Sequence, residues 1–239
     1  MSEGRIGSDI ELHGATGAEG TRRAADSTGA YLAIPASGSG PGVVVVQEWW
    51  GLVDHIRDVC DRLAREGFVA LAPDLYRGEV AGDPDAAGRL MMDLEIPRAT
   101  ADLDAAVKAL LDHDAVEGSR VGCIGFCMGG QLALSAAAHS PRIGAVVDCY
   151  GIHPKVSPDF AQMDAAVFGV FAEHDEFVPT EAVRQLESDL KVAGVRVRTR
   201  IHLGVQHAFM NDTRPDVYDA QTASEAWNEI LAFLRAELL

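Results

Sequence analysis

The chain has 239 residues, of which 48% are hydrophobic and 23% charged, the balance of a soluble globular protein with room for one sizeable core. Its 20 Lys and Arg against 36 Asp and Glu leave a formal charge of −16, which repels phosphate backbones and anionic membranes, so neither nucleic acid nor a membrane is expected as a partner. Residues 1–25 are polar and Gly-rich without the apolar run of a secretion signal, so the expectation is a cytoplasmic protein. It would carry a part-ordered extension over 1–25 and one domain over 26–239.

Residues 10–13 and 29–34 alternate enough for short edge strands, and the Ser/Gly/Pro run over 36–41 reads as a turn. Val43, Val44, Val45 and Val46 form a continuous β-branched run, the mark of a strand buried on both faces, and it ends at Q-E-W-W-G over 47–51. Apolar residues at Ile56, Val59, Cys60, Leu63 and Ala64 keep helical spacing within 55–66, and Gly67 follows as a stop. A strand over 68–72 leads into P-D-L-Y-R-G over 73–78. Helices are expected over 83–92 and 98–113, a strand over 120–124, a small-residue helix over 129–139, and strands over 145–150 and 166–171. Pro179 opens a helix over 180–193, residues 195–201 alternate as an outer strand with one wet face, and a long helix fills 216–239. The alternation predicts an α/β fold, a mostly parallel central sheet with helices on both faces and its ligand site at the carboxyl ends of the strands.

At one strand end stands V-G-C-I-G-F-C-M-G-G, residues 121–130. It has the form of the nucleophile elbow G-x-S-x-G, with Gly125 and Gly129 flanking Cys127 in place of serine. A sharp strand-to-helix turn lifts the sulfur above the sheet and sets the Met128 N–H, at a helix N-terminus, where an oxyanion would form. The other three cysteines, Cys60, Cys123 and Cys149, lie in apolar surroundings and read as reduced core residues.

Two further strand ends carry A-E-H-D-E-F-V-P (172–179) and G-V-Q-H-A-F (204–209). Nucleophile, acid and base in that chain order is the order of the α/β-hydrolases, which makes Cys127, Asp175 and His207 the candidate triad. Asp175 as a mere cap of the loop before Thr180, and His207 as a surface histidine like His13, His113, His139 and His153, are the competing readings. His174 and His202 are the rival bases. No phosphate-cradling loop and no metal-type spacing appears, so no cofactor and no metal are expected; Glu173, His174 and Asp175 are adjacent and point in alternating directions.

Taken together, Q-E-W-W-G, P-D-L-Y-R, G-F-C-M-G-G, H-D-E-F-V-P and G-V-Q-H-A-F resemble the dienelactone hydrolase family from about Val43 to the C-terminus. The resemblance implies a single-domain α/β-hydrolase that opens a lactone or ester through a thiol, with Cys127 as nucleophile, His207 as base and Asp175 as orienting acid. It also implies that Glu48 helps deprotonate the thiol once substrate arrives, and that the N–H groups of Trp49 and Met128 form the oxyanion hole. Trp50 and Tyr76 are candidates for the pocket wall. The family holds a substrate carboxylate with two arginines; Arg77 stands for the first, whereas Asn211 occupies the place of the second, with Arg214 beyond it. An amide replaces a bidentate guanidinium poorly.

The expected function is hydrolysis of a small-molecule lactone or ester by a monomer or weak homo-oligomer, in the manner of aromatic-degradation enzymes. A thioesterase or short peptide hydrolase on the same site, and a non-catalytic thiol that senses oxidants or binds a ligand, are the alternatives.

Overall fold

A computed structural model of the protein describes residues 5–13 and 27–239; the rest of the expected N-terminal extension lies outside the described residues. The elements are β1 (Ser8–His13), β2 (Ser27–Ala33), β3 (Gly40–Val46), α1 (Asp54–Arg65), β4 (Val69–Pro73), α2 (Pro84–Asp93), α3 (Ile96–Leu111), β5 (Val116–Phe126), α4 (Met128–His139), β6 (Ile143–Cys149), β7 (Ala166–Ala172), α5 (Thr180–Val192), β8 (Val197–His202) and α6 (Ala220–Leu238), with a 3₁₀ turn at Phe160–Gln162. This is the α/β alternation read from the sequence, built on a mostly parallel sheet. The chain gathers into two compact units, one up to Val121 and one from Gly122, with the boundary inside β5.

In the first unit the strand order is β1-β2-β4-β3. β2 runs antiparallel to both β1 and β4, with Leu32 opposite Ser8 on one side and Leu71 on the other, while β3 and β4 are parallel. Every residue of β3 is buried, as a continuous valine run requires of a central strand. Helix α1 packs on β2, β3 and β4, and α3 on β3 and β4.

In the second unit the order is β5-β6-β7-β8, with β6, β7 and β8 all parallel. Helix α4 packs on β6, α6 on β6 and β7, and α5 on β7 and β8. β8 alternates as expected, and its exposed Arg198 lays the guanidinium 4.2 Å above the ring of Phe168. Two element starts differ most from the sequence reading. β5 begins at Val116, because ladder pairing extends through polar residues that give no apolar signal. α6 begins at Ala220 rather than at 216, because the Asp219 carboxylate accepts the Thr222 N–H at 2.8 Å and starts the helix there.

Candidate active site

The elbow is built as its glycines require. β5 ends at Phe126, Cys127 takes φ 53° and ψ −125°, and α4 starts at Met128. A left-handed non-glycine residue costs on the order of 1–3 kcal/mol and persists only where its surroundings hold it. Here the Cys127 N–H donates to the Cys149 carbonyl at 3.0 Å, and the Cys127 carbonyl accepts from Gly130 at 2.9 Å and Ile152 at 3.2 Å. A Cβ at Gly125 would lie 1.9 Å from the Gly129 carbonyl oxygen, so strand and helix meet this closely only over a glycine. Cys127 keeps 8% of its surface exposed, whereas Cys60, Cys123 and Cys149 keep none. Burial pushes the Cys60 thiol well up and the Cys123 thiol to about 12, which makes both poor nucleophiles.

Asp175 and His207 follow the next two strand ends. The Asp175 carboxylate divides its work: Oδ1 accepts the N–H groups of Phe177 at 2.8 Å and Val178 at 2.9 Å, and Oδ2 lies 2.7 Å from Nδ1 of His207. One carboxylate thus both caps its loop and holds the His207 ring. The His207 ring sits between Tyr150 and Phe177, centroids 5.1 and 5.0 Å away, and is hydrogen-bonded to Cys127 as well as to Asp175. Burial by itself would lower its pKa, but the hydrogen bonds to Asp175 and Cys127, reinforced by their charges, outweigh it and raise the value to about 10. The rival histidines stand elsewhere: His174 is exposed, 3.6 Å from Glu173, and His202 packs on Phe209, its pKa lowered by burial. His153, read from sequence as a surface residue, is buried, with Nδ1 accepting the Lys155 N–H at 3.1 Å.

The candidates on the first unit have their own order. Glu48 is buried just beyond β3, and the rings of Trp49 and Trp50 meet edge to face at 5.3 Å. The P-D-L-Y-R-G loop winds round the Asp74 carboxylate, which accepts the Tyr76 N–H at 3.0 Å and the Gly78 N–H at 2.6 Å, leaving Tyr76 buried and Arg77 at φ 56°. Arg77 places Nη2 at 2.8 Å from both oxygens of Asp102 on α3 and gives Nη1 to the Ser27 carbonyl. Tyr76 and Arg77 line a cavity of about 270 Å³ that also reaches the ends of α2 and α3. On the second unit Asn211 is buried, its Oδ1 accepting the Thr213 N–H at 3.0 Å and hydroxyl at 2.6 Å, and Arg214 pairs with Asp216 at 3.0 Å.

Three residues near the candidate triad escaped the sequence reading. Tyr150 at φ 43° and Ala208 at φ 63° join Cys127 as left-handed non-glycine residues, one against the His207 ring and one directly after it. Asp148, near the end of β6, is fully buried, with neither oxygen in a hydrogen bond of normal geometry, and a Cβ on Gly130 would lie 2.1 Å from its Oδ1. Burial lifts its pKa to about 7, with only the Gly151 N–H drawing it down. An acid inside the apolar run over 145–150 was the available signal. Among the described residues no group of three His, Cys, Asp or Glu is placed to hold a metal ion, and no helix is long and apolar enough to cross a membrane.

The dienelactone hydrolase family model matches residues 28–238. "Protein usf" of Aquifex pyrophilus is 40% identical over 215 residues, covering 87% of this chain and 93% of its own. A protein of Aquifex aeolicus (strain VF5) named "Putative carboxymethylenebutenolidase" is 37% identical over 218 residues, with the same coverage. The crystal structure titled "Putative Dienelactone Hydrolase" from Klebsiella pneumoniae superposes with a TM-score of 0.81 at 29% identity, over 96% of this chain and 98% of that one. A dienelactone hydrolase-like promiscuous phosphotriesterase from metagenomic libraries shares the fold, with a TM-score of 0.83 at 22% identity over 98% of this chain and all of its own. With its α/β architecture and its cysteine elbow, the chain belongs to the dienelactone hydrolase family.

Proposed function

We propose that the protein hydrolyses a carboxylic ester or lactone through a covalent thioester on Cys127. The observation that carries this reading is His207, held by Asp175 on one nitrogen and hydrogen-bonded to the elbow cysteine. In the proposed cycle the Cys127 thiolate attacks the carbonyl carbon, and the carbonyl electrons move to oxygen, where the Met128 N–H receives the charge. The tetrahedral intermediate expels the alkoxide, which takes the proton that imidazolium His207 holds, leaving an acyl-thioester and a neutral imidazole. A water then gives its proton to His207 and attacks the thioester. Collapse releases the carboxylic acid and restores the thiolate–imidazolium pair. In a lactone the alkoxide stays attached to the acyl group, so one product leaves at the end.

Asp175 fixes the imidazole orientation through Nδ1 and stabilises its charged form. The deciding experiment follows hydrolysis of p-nitrophenyl acetate and of dienelactone with Cys127→Ala as control. Turnover by the native protein with a mass increase of one acyl group on Cys127 supports the reading. Turnover by the alanine variant above about a tenth of the native rate rejects it, since loss of a nucleophile costs orders of magnitude.

A further inference from the structure

One stretch of backbone in the second unit, residues 148–152, touches both the candidate nucleophile and the candidate base. The Cys149 carbonyl accepts the Cys127 N–H at 3.0 Å, and the Ile152 N–H donates to the Cys127 carbonyl at 3.2 Å. Between them Tyr150, at φ 43°, donates its N–H to the Val170 carbonyl at 2.7 Å and sets its ring 5.1 Å from that of His207. Tyr150 and Cys127 are both left-handed, and such conformations persist only where their surroundings enforce them.

Asp148 opens this stretch, and its carboxyl fills the inside of the turn. An added Cβ would lie 2.1 Å from Oδ1 at Gly130, in the first turn of α4, and 2.0 Å from the same oxygen at Gly151. The carboxyl is therefore wedged between the start of the helix that follows the elbow and the turn that Tyr150 makes. An apolar side chain would fill that space without the desolvation that a fully buried acid suffers. What an apolar group lacks is a polar arm for the Gly151 N–H, the backbone group that acts on this carboxyl from three residues along the chain. A side chain that costs stability and stands against both strained turns is placed for geometry, an exchange of stability for function that active sites commonly make.

Resting on the hydrolase reading above, we propose that Asp148 is a positioning residue of the hydrolytic site: its carboxyl, wedged between the first turn of α4 and the turn at Tyr150 and Gly151, holds residues 148–152 in the shape that fixes Cys127 and seats the Tyr150 ring against His207. It touches no substrate. It acts through the two backbone hydrogen bonds to Cys127 and through the aromatic contact to the base.

Three readouts test this: p-nitrophenyl acetate hydrolysis and the rate of Cys127 alkylation by iodoacetamide, both at pH 6, below the Asp148 pKa of about 7, and the NMR titration midpoint of the His207 ring proton. Asp148→Ala should lower kcat about 10- to 100-fold with KM little changed, the scale of a small misplacement of reacting groups. It should also slow alkylation and move the His207 midpoint down, because the hydrogen bond to Cys127 helps to raise it. Asp148→Asn, equal in size and with an acceptor oxygen, should recover at least about a third of the native kcat. Asp148→Ser, which shortens the polar arm and leaves a smaller void, replaces the alanine variant if that one does not fold, with the same expectation. A shortened variant that loses stability in urea but keeps kcat, alkylation rate and His207 midpoint overturns the proposal, and so does an asparagine variant as damaged as the shortened one. If the native protein cleaves no ester, the hydrolase reading falls by itself, and the alkylation rate and His207 midpoint still decide whether Asp148 positions the pair.

Discussion

Oδ2 of Asp175 lies 2.7 Å from Nδ1 of His207 while Oδ1 of the same carboxylate is held by two backbone N–H groups, so the acid that orients the imidazole is itself fixed by its own loop. Asp175→Asn keeps an oxygen for Phe177 and Val178 but turns an amide N–H toward Nδ1 and favours the wrong tautomer. The expected result is a fall in kcat of about 10²- to 10⁴-fold with KM little changed, read from steady-state kinetics on p-nitrophenyl acetate.

The same pair sets a pH dependence. His207 has its pKa raised from 6.5 to about 10, so the stabilisation from its charged form is fully present below about pH 6.5 and is lost as pH rises through about 10. Ester hydrolysis should decline on the alkaline side as the ring loses the proton that the leaving group needs. An NMR titration of the His207 ring proton should give a midpoint far above 6.5. Cys127→Ala and Asp175→Asn should each move that midpoint down, and a midpoint near 6.5 in the native protein contradicts an imidazolium at neutral pH.

Only one of the four cysteines combines exposure with a histidine partner. Brief treatment of the folded protein with iodoacetamide should add one carbamidomethyl group, mapped to Cys127 by peptide mass, and none to Cys127→Ala. Four should be added in denaturant.

Asp148 carries a cost that depends on pH. Its folded pKa of about 7 lies above the ordinary 3.8, so the acid form is the one the fold accepts, and stability falls as pH rises from about 4 to 7. A tenfold change in proton affinity corresponds to about 1.4 kcal/mol, which puts the full penalty above pH 7 on the order of 4 kcal/mol. Asp148→Asn should therefore unfold at higher urea than the native protein at pH 8, and the gap should narrow at pH 5. An equal gap at both pH values would show that ionisation of Asp148 is not the cause.

Gly125→Ala places a methyl group 1.9 Å from the Gly129 carbonyl oxygen, backbone against backbone, with no flexible side chain to yield. The expected loss exceeds about 3 kcal/mol in a urea melt, or the elbow opens and activity disappears. Ala at Gly88, where nothing lies within 4 Å of the added carbon, is the tolerated control.

The sequence by itself determined what local chemistry dictates. The valine run of β3, the period-two pattern of β8 and the helical spacing in α1 gave the α/β class, because burial on two faces, one face or one stripe leaves different periodicities in the chain. The glycines round Cys127 announced the turn, and Asp175 and His207 were legible because each directly follows a strand, where this topology collects functional residues. Tertiary structure decided what depends on partners distant in the chain. Arg77 gains its ion-pair partner only when α3 delivers Asp102 to it, 25 residues later. His153 reads as a loop residue until packing buries it, and Asp148 gains its raised pKa only from burial in the assembled fold. Desolvation and ion pairing belong to the assembled neighbourhood, not to a residue's place in the sequence, which is why the candidate residues were readable in advance and their buried partners were not.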